Sequence, residues 1–311
     1  MTTGAPPRVS VVIATRNRPG WLRESIESVR SQTGVPWELL VVDDCSDEQY
    51  RDGLALLAAE GTTILRQSVP TERCAARNRG LAQARGEFVM FLDDDDWLWP
   101  GALARLARAL DGYPDAVAAV GARWAVFTGE DYERRDAHPR RMLKRDVLEE
   151  LVFGWSAVSG QNLYRTEIVR SFGGYEDEAL IPCEDRLLWM RAACRGPVVL
   201  IPETVMSYRY HSAQNRPANI MDIREQVCER VIRDLPLESR SRLRKKGRAG
   251  RLVDRAEETM SHGNPFAATG LAIRAFFASP RIFFSPLIGE WVVRRLGGRL
   301  LRRWFPAKSA D

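Results

Sequence analysis

Along roughly the first 120 positions, apolar residues fall in short unbroken blocks separated by stretches of helical periodicity. Val9 to Ala14 is a run rich in β-branched residues and predicts a strand; after Pro19-Gly20, Leu22, Ile26 and Val29 recur at helical spacing. Leu39 to Val42 predicts a second strand, ended by Asp43-Asp44. Leu54 to Ala59 reads as helix, Thr62 to Leu65 as a short strand, and Arg73 to Ala84 as helix with Gly86 as its stop. Phe88 to Leu92 is the next strand, and Asp93, Asp94, Asp95 and Asp96 follow it directly, before Trp97. A helix from Pro100 to Leu110 and a strand from Ala116 to Val120 come next. From about Arg123 to His211 the pattern is mixed, with Gly129 to Arg145 a charged loop and Pro182 to Cys194 opening a helix; beyond about Asn215 helices dominate.

Continuous apolar strands separated by helices predict a parallel sheet covered on both faces, because parallel pairing demands a crossover. The expected class is α/β, an open Rossmann-type sheet with a mainly helical C-terminal extension. The expected division is 1–212 for the sheet domain and 213–311 for the helical, basic region. In such sheets ligands bind at the carboxyl ends of the strands. Asp43-Asp44 and Asp93 to Asp96 both stand at such ends, so both are expected on one rim.

At 311 residues and 45% hydrophobic composition the chain has enough apolar material for a full core. The net charge of +5 is uneven: acidic clusters precede residue 190 and basic clusters, Arg240 to Arg255 and Arg294 to Arg303, crowd the end. Such asymmetry suggests an anionic partner for the C-terminal part. The five cysteines are scattered and contain no C-x-x-C pair, which indicates neither a disulfide framework nor a zinc site and fits a reducing cytoplasm. The first eight residues carry no secretion signal, and the apolar stretches between Phe276 and Val293 are broken well short of the ~20 residues that cross a bilayer.

Four adjacent carboxylates repel one another and persist best where a cation or hydrogen-bond donors neutralise them; the alternative is a solvated acidic turn capping the next helix. Dinucleotide binding is excluded by Ala14-Thr15-Arg16-Asn17-Arg18, which stands where a Rossmann fold needs its glycine-rich turn. No glycine-rich run closes on Gly-Lys-Ser/Thr, so a P-loop is missing too.

Taken in order, these pieces resemble the family 2 glycosyltransferases over residues 8 to 212. The resemblance is carried by Val9 to Arg18, Ser28-Val29, Gln32-Thr33 and Val41 to Asp47. It continues through Ala75 to Gly80, Ala84 to Glu87, Phe91 to Trp97, Ser159-Gly160, Phe172 to Tyr175, Glu184-Asp185 and Tyr208 to His211. It implies a GT-A-like fold and a metal-dependent, inverting transfer from a nucleotide diphosphate sugar, UDP-linked, to an unidentified acceptor hydroxyl. A Mg²⁺ or Mn²⁺ held by one or two carboxylates would neutralise the diphosphate leaving group.

By this resemblance Asp93 and Asp95 are the D-x-D acids, Asp95 the direct metal ligand, and His211 a further ligand. Ala14, Thr15, Arg16, Asn17, Asp43, Asp44, Arg77, Asp93 and Asp94 line the nucleotide, Asp44 accepting from the base and Asp94 adjoining the ribose. Arg16 replaces the aromatic residue that often stacks on the base, and either stacks itself or meets the diphosphate. Asp185 is the general base with Glu184 beside it, and Gly160, Gln161, Asn162 and Trp189 lie on the acceptor side. Without the resemblance, His211 reads as structural, Arg77 as a surface helix charge, Glu184-Asp185 as an acid pair favoured by a helix macrodipole, and the tryptophans as core. The aromatic and basic C-terminal helices suit a peripheral contact at the inner face of a membrane, or a homo-oligomer. The rival class is a non-enzymatic basic adaptor; no nucleic-acid motif accompanies the basic residues, and nucleic acid is not an expected partner.

Overall fold

The computed structural model describes residues 6–60, 62–128, 133–135, 138–176, 180–211, 217–285 and 287–292. Strand β1 (Val9–Thr15) runs through the core, and α1 (Pro19–Arg30) buries Leu22, Ile26 and Val29, the face its spacing predicts. The alternation continues with β2 (Trp37–Asp43), α2 (Arg51–Ala59), β3 (Thr63–Arg66) and α3 (Glu72–Gln83). Next, β4 (Phe88–Asp93) and β5 (Trp97–Leu98) bracket the acidic turn, and α4 (Ala102–Gly112) follows. The mixed stretch contains β6 (Ala118–Phe127), β7 (Glu133–Arg135), β8 (Leu143–Arg145), α5 (Leu148–Phe153), β9 (Asn162–Arg165), α6 (Thr166–Ser171), α7 (Glu184–Ala193) and β10 (Val198–Tyr210). Helices α8 (Ile220–Arg233), α9 (Leu237–Ser261), α10 (Pro265–Ala278), α11 (Pro280–Phe283) and α12 (Ile288–Val292) complete the described chain.

The strands form one sheet in the order β3-β2-β1-β4-β9-β6-β10-β5, with β7 paired to β6 and β8 to β10. The first four strands are parallel, as their apolar runs predict. Thereafter the sheet is mixed, because β9 runs antiparallel to both β4 and β6, and β5 antiparallel to β10. An apolar run marks a buried strand but not its direction, and the reversal at β9 falls in the stretch from 123 to 211 whose pattern is mixed in sequence. Register in the parallel half sets Thr15 opposite Asp43 and Ala14 opposite Asp93, which puts both acidic ends on the same rim. On the far side β10 is irregular between Leu200 and Met206, and its last stretch pairs Ser207 with Trp97. That pairing carries the end of β10 to the acidic turn.

Two local expectations change. The predicted loop from 129 to 145 holds β7 and β8, and its remaining part lies partly outside the described residues. Gly86 does not end α3, whose cap is Ala84; a Cβ at Gly86 would lie 2.7 Å from the Ser10 backbone nitrogen, so this glycine permits the close approach of β4 to β1.

The chain divides into two compact units, one of residues 1–136, 140–146 and 157–223, the other of 137–139, 147–156 and 224–311. The segment holding α5 therefore packs with the C-terminal helices, where Glu149 meets Lys246 at 2.8 Å and Arg242 at 3.2 Å. Among the described residues no helix is long and apolar enough to cross a membrane.

Candidate active site

The acidic turn begins at the last residue of β4 and is held from below. The Asp96 backbone N–H donates to the Asp93 carbonyl, and the Ser25 hydroxyl of α1 reaches the carbonyls of Asp93 and Asp96. Carboxylate oxygens of Asp93, Asp95 and Asp96 then lie within 4.8 Å of one another. Asp94 turns towards β1 and accepts from the Thr15 hydroxyl at 2.7 Å. Asp95 accepts from Arg18 at 3.0 Å and lies 2.9 Å from His211 Nε2. Asp96 Oδ1 accepts from the Arg209 N–H at 2.8 Å, while its Oδ2 is buried with no hydrogen-bond partner.

Burial is the main cause that raises Asp93, Asp94 and Asp96, reinforced by repulsion within the cluster. It lifts Asp93, pushes Asp94 up to about 7, and holds Asp96 well above the usual carboxylate range. A cluster of carboxylates short of donors, one with an orphaned buried oxygen, is the hard-oxygen donor set that a divalent cation satisfies. The residues present therefore fit a Mg²⁺- or Mn²⁺-sized ion. His211 belongs to the same place: its Nδ1 is buried without a partner, and its ring lies 4.4 Å from that of Trp21.

The second half of the site is assembled by Arg77. Far from being a surface charge, this α3 side chain is 5% exposed and donates to Glu184 and Asp185 at 3.1 Å each and to Asp93 at 2.5 Å. Burial works against its charge, but Asp185, Tyr175, Asp93 and Glu184 more than offset that and raise it. One guanidinium thus joins the end of β4 to the start of α7, where Glu184 and Asp185 occupy the first turn. The two acids differ in access. The Glu184 side chain is 2% exposed, is raised mainly by burial and next by Asp185, and has one oxygen without a partner. The Asp185 side chain is 26% exposed, with Oδ1 taken by Arg77 and by the Tyr175 hydroxyl at 2.8 Å. Tyr175 is pinned in turn, since Asn78 donates to its carbonyl at 2.7 Å and accepts from its N–H at 2.8 Å.

The nucleotide-side residues form a second rim segment. Asp43 is bonded by the Ser46 N–H at 3.0 Å and Arg66 at 2.9 Å. Asp44 Oδ1 accepts from Gln67 at 3.0 Å and from the Thr71 N–H and hydroxyl at 2.7 and 3.0 Å. Asn17, in the left-handed region at φ 62°, ties the loop after β1 to the loop after β2 through Ser46 and Asp47. Ala14 is half-buried at this edge and Arg16 is exposed.

The acceptor-side expectations need correction. Gln161 is buried and spends its amide on the Gly121 carbonyl and the Val158 N–H; Asn162 is buried and donates to the Val158 carbonyl. Gly160, at φ 80°, donates to the Phe91 carbonyl, and a Cβ there would lie 2.8 Å from Leu92 Cδ1. These three build the joint between β4, β9 and β6 and present no side chain to a sugar. Trp189 is wholly buried, edge-on to Tyr164, and offers no face for stacking. Four site residues escaped the assignment of roles from sequence: Arg18, Tyr175, Asp96 and Arg209. All four lie inside the motifs quoted above, but only the fold shows that Arg18 reaches Asp94 and Asp95, or that Arg209 lies over Trp97 and bonds the Asp95 carbonyl.

Residues 10–173, more than half of the chain, match the family model described as glycosyl transferase family 2. The chain belongs to that family. Similar proteins include the putative colanic acid biosynthesis glycosyl transferase WcaA of Escherichia coli, 30% identical over 175 residues, which are 52% of this chain and 62% of that one. The GalNAc(5)-diNAcBac-PP-undecaprenol beta-1,3-glucosyltransferase of Campylobacter jejuni is 38% identical over 111 residues, 34% of this chain and 36% of that one. The match spans less than two thirds of the length of either relative. The Staphylococcus aureus TarS structure in complex with UDP-GlcNAc superposes with a TM-score of 0.65 at 17% identity, covering 96% of this chain and 92% of that chain. At that identity the likeness establishes the fold, which is GT-A. Membership of glycosyl transferase family 2 makes the chain an enzyme and sets the basic-adaptor reading aside.

Proposed function

We propose that this glycosyltransferase moves a sugar from a UDP-sugar to an acceptor hydroxyl with inversion at the anomeric carbon. The observation that carries the reading is the Arg77 bridge. It joins Asp93, in the cation-fitting cluster, to Asp185, an acid open to the cleft, so that leaving-group and acceptor chemistry meet at one guanidinium. UDP as the carrier is supported by Asp44, whose carboxylate accepts three intramolecular bonds, all on Oδ1, leaving Oδ2 for the imide N–H of uracil. The TarS complex is similar in fold and holds UDP-GlcNAc.

In this reading Asp93, Asp95 and His211 hold a divalent cation, with Asp96 behind them, and Asp94 and Thr15 face the ribose. When bound, the cation supplies neutralisation of the diphosphate leaving group. Asp185 takes the proton from the acceptor hydroxyl, whose oxygen forms the new bond to the anomeric carbon as the bond to the diphosphate oxygen breaks. Arg77 and Tyr175 fix Oδ1 of that carboxylate and turn Oδ2 to the acceptor. Glu184, sealed behind Arg77, positions the arginine rather than taking a proton.

The test combines a panel of sugar nucleotides, assayed for hydrolysis and transfer with Mn²⁺, with Asp185→Asn. The variant should lose about 10²- to 10⁴-fold in turnover, the usual contribution of general-base catalysis, while nucleotide binding hardly changes. Near-normal turnover by Asp185→Asn would remove Asp185 as the base. A product with the donor's anomeric configuration would rule out inversion.

A further inference from the structure

Helix α10 buries its small residues and shows its large ones. Ala268 and Ala275 are the buried positions, with Ala268 packed in a small cluster with Ala256 and Met260 of α9. The opposite face carries Phe266, 90% exposed, Ile273, 51% exposed, and Phe277, 75% exposed. Gly270 stands between them with open space over its backbone. Positions 266, 270, 273 and 277 fall on one side of an α-helix, so these residues form a continuous stripe rather than scattered exposures. Phe284, 79% exposed, follows just beyond α11, its ring 6.4 Å from that of Phe276.

Along the segment that carries the stripe the charge has one sign. Between Glu258 and Glu290 the sequence contains no acidic residue, while Arg274 and Arg281 are both exposed. An apolar stripe on a segment whose charged side chains are arginines is complementary to a surface that is apolar below and anionic above. We infer that this face docks on an anionic lipid surface, with the phenylalanines entering the headgroup layer and Arg274 and Arg281 meeting lipid phosphates. A second copy of the chain suits the face less well. A pairing of two such segments would bring together like charges, since neither supplies an acid between Glu258 and Glu290. The stripe also extends only about 17 Å at 1.5 Å per residue and about 10 Å across one helix, an area several-fold short of the roughly 1,000 Å² in total that a stable interface buries.

The experiment is sedimentation of the intact chain with phosphatidylcholine vesicles, pure or with one third phosphatidylglycerol, alongside analytical ultracentrifugation without lipid. The intact chain should pellet with the anionic vesicles and release as salt is raised. Phe266→Ser with Phe277→Ser should weaken binding at least tenfold, as loss of two buried aromatic side chains requires. Arg274→Gln with Arg281→Gln should weaken it roughly tenfold or more at low salt and little at high salt. All four positions are exposed and lie outside the catalytic unit, so donor hydrolysis should stay at the wild-type rate and report that each variant is folded. Failure of the intact chain to pellet with anionic vesicles at low salt overturns the inference, as does equal binding by either double variant. A dimer that the phenylalanine variants dissociate, with no vesicle binding, assigns the face to a second copy instead.

Discussion

Two segments of the same rim carry buried aspartates, and they are finished in opposite ways. At the end of β2, Asp43 and Asp44 are 1% and 5% exposed, and the protein supplies donors to both: Arg66, Gln67, Thr71 and the Ser46 N–H. At the end of β4, Asp94, Asp95 and Asp96 are 7%, 8% and 1% exposed, yet one oxygen of Asp96 has no partner and burial holds Asp94 and Asp96 raised. Comparable burial thus leaves the pair at β2 settled, whereas the larger group at β4, although met by Thr15, Arg18, Arg77, Arg209 and His211, keeps an orphaned oxygen and raised acids. A protein keeps buried carboxylates short of donors where something from outside completes them, and in a glycosyltransferase cleft a cation with its nucleotide is the natural complement. The β2 corner contributes shape and a single free oxygen; the β4 corner contributes charge.

The largest expected effect breaks the contrast at its charged end. Asp95→Ala should abolish cation-dependent nucleotide binding, followed by titration calorimetry with UDP and Mn²⁺, while the melting temperature stays near wild type because the residue lies at a strand end among like charges. Unchanged affinity would place the cation elsewhere. Asp44→Ala attacks the other end. It should weaken UDP about tenfold to hundredfold relative to a purine diphosphate, since a charge-assisted hydrogen bond contributes roughly 1.5 to 3 kcal/mol. An equal loss for both nucleotides would reduce Asp44 to a loop support.

Stability sharpens the comparison further. Asp43→Ala strips the buried Ser46 N–H and Arg66 of their acceptor and should lower unfolding stability by about 1 to 3 kcal/mol in urea, with little change in catalysis per folded molecule. Asp96→Asn keeps an oxygen for the Arg209 N–H and removes a buried charge. It should raise stability by about 1 kcal/mol in the presence of a chelator, whereas a loss would show that the cluster is already balanced without a cation.

Much of this molecule is legible in its residues taken one stretch at a time. The strand blocks Val9 to Ala14 and Phe88 to Leu92, the helical spacing of Leu22, Ile26 and Val29, and the placement of Asp43 and Asp93 at strand ends all follow from local periodicity, which the backbone enforces residue by residue. Partnership does not follow from it. Arg77 and Asp185 are 108 residues apart, and His211 and Asp95 are 116 apart. Only the closing of the sheet brings them together, because a side chain's partners depend on which strands become neighbours. The same holds for the failures. Trp189, Gln161 and Asn162 resemble acceptor-side residues by type and order, but burial belongs to the packed fold. The antiparallel return of β9, placing Asn162 to Arg165 between β4 and β6, carries Asn162 inward, and Trp189 of α7 is buried edge-on to Tyr164 of the same strand. The sequence by itself determined the α/β alternation, the acids at the strand ends and the family. Tertiary structure alone decided which acids share an arginine, which are left short of donors, and which aromatic residues face water, since each depends on contacts that no local pattern encodes.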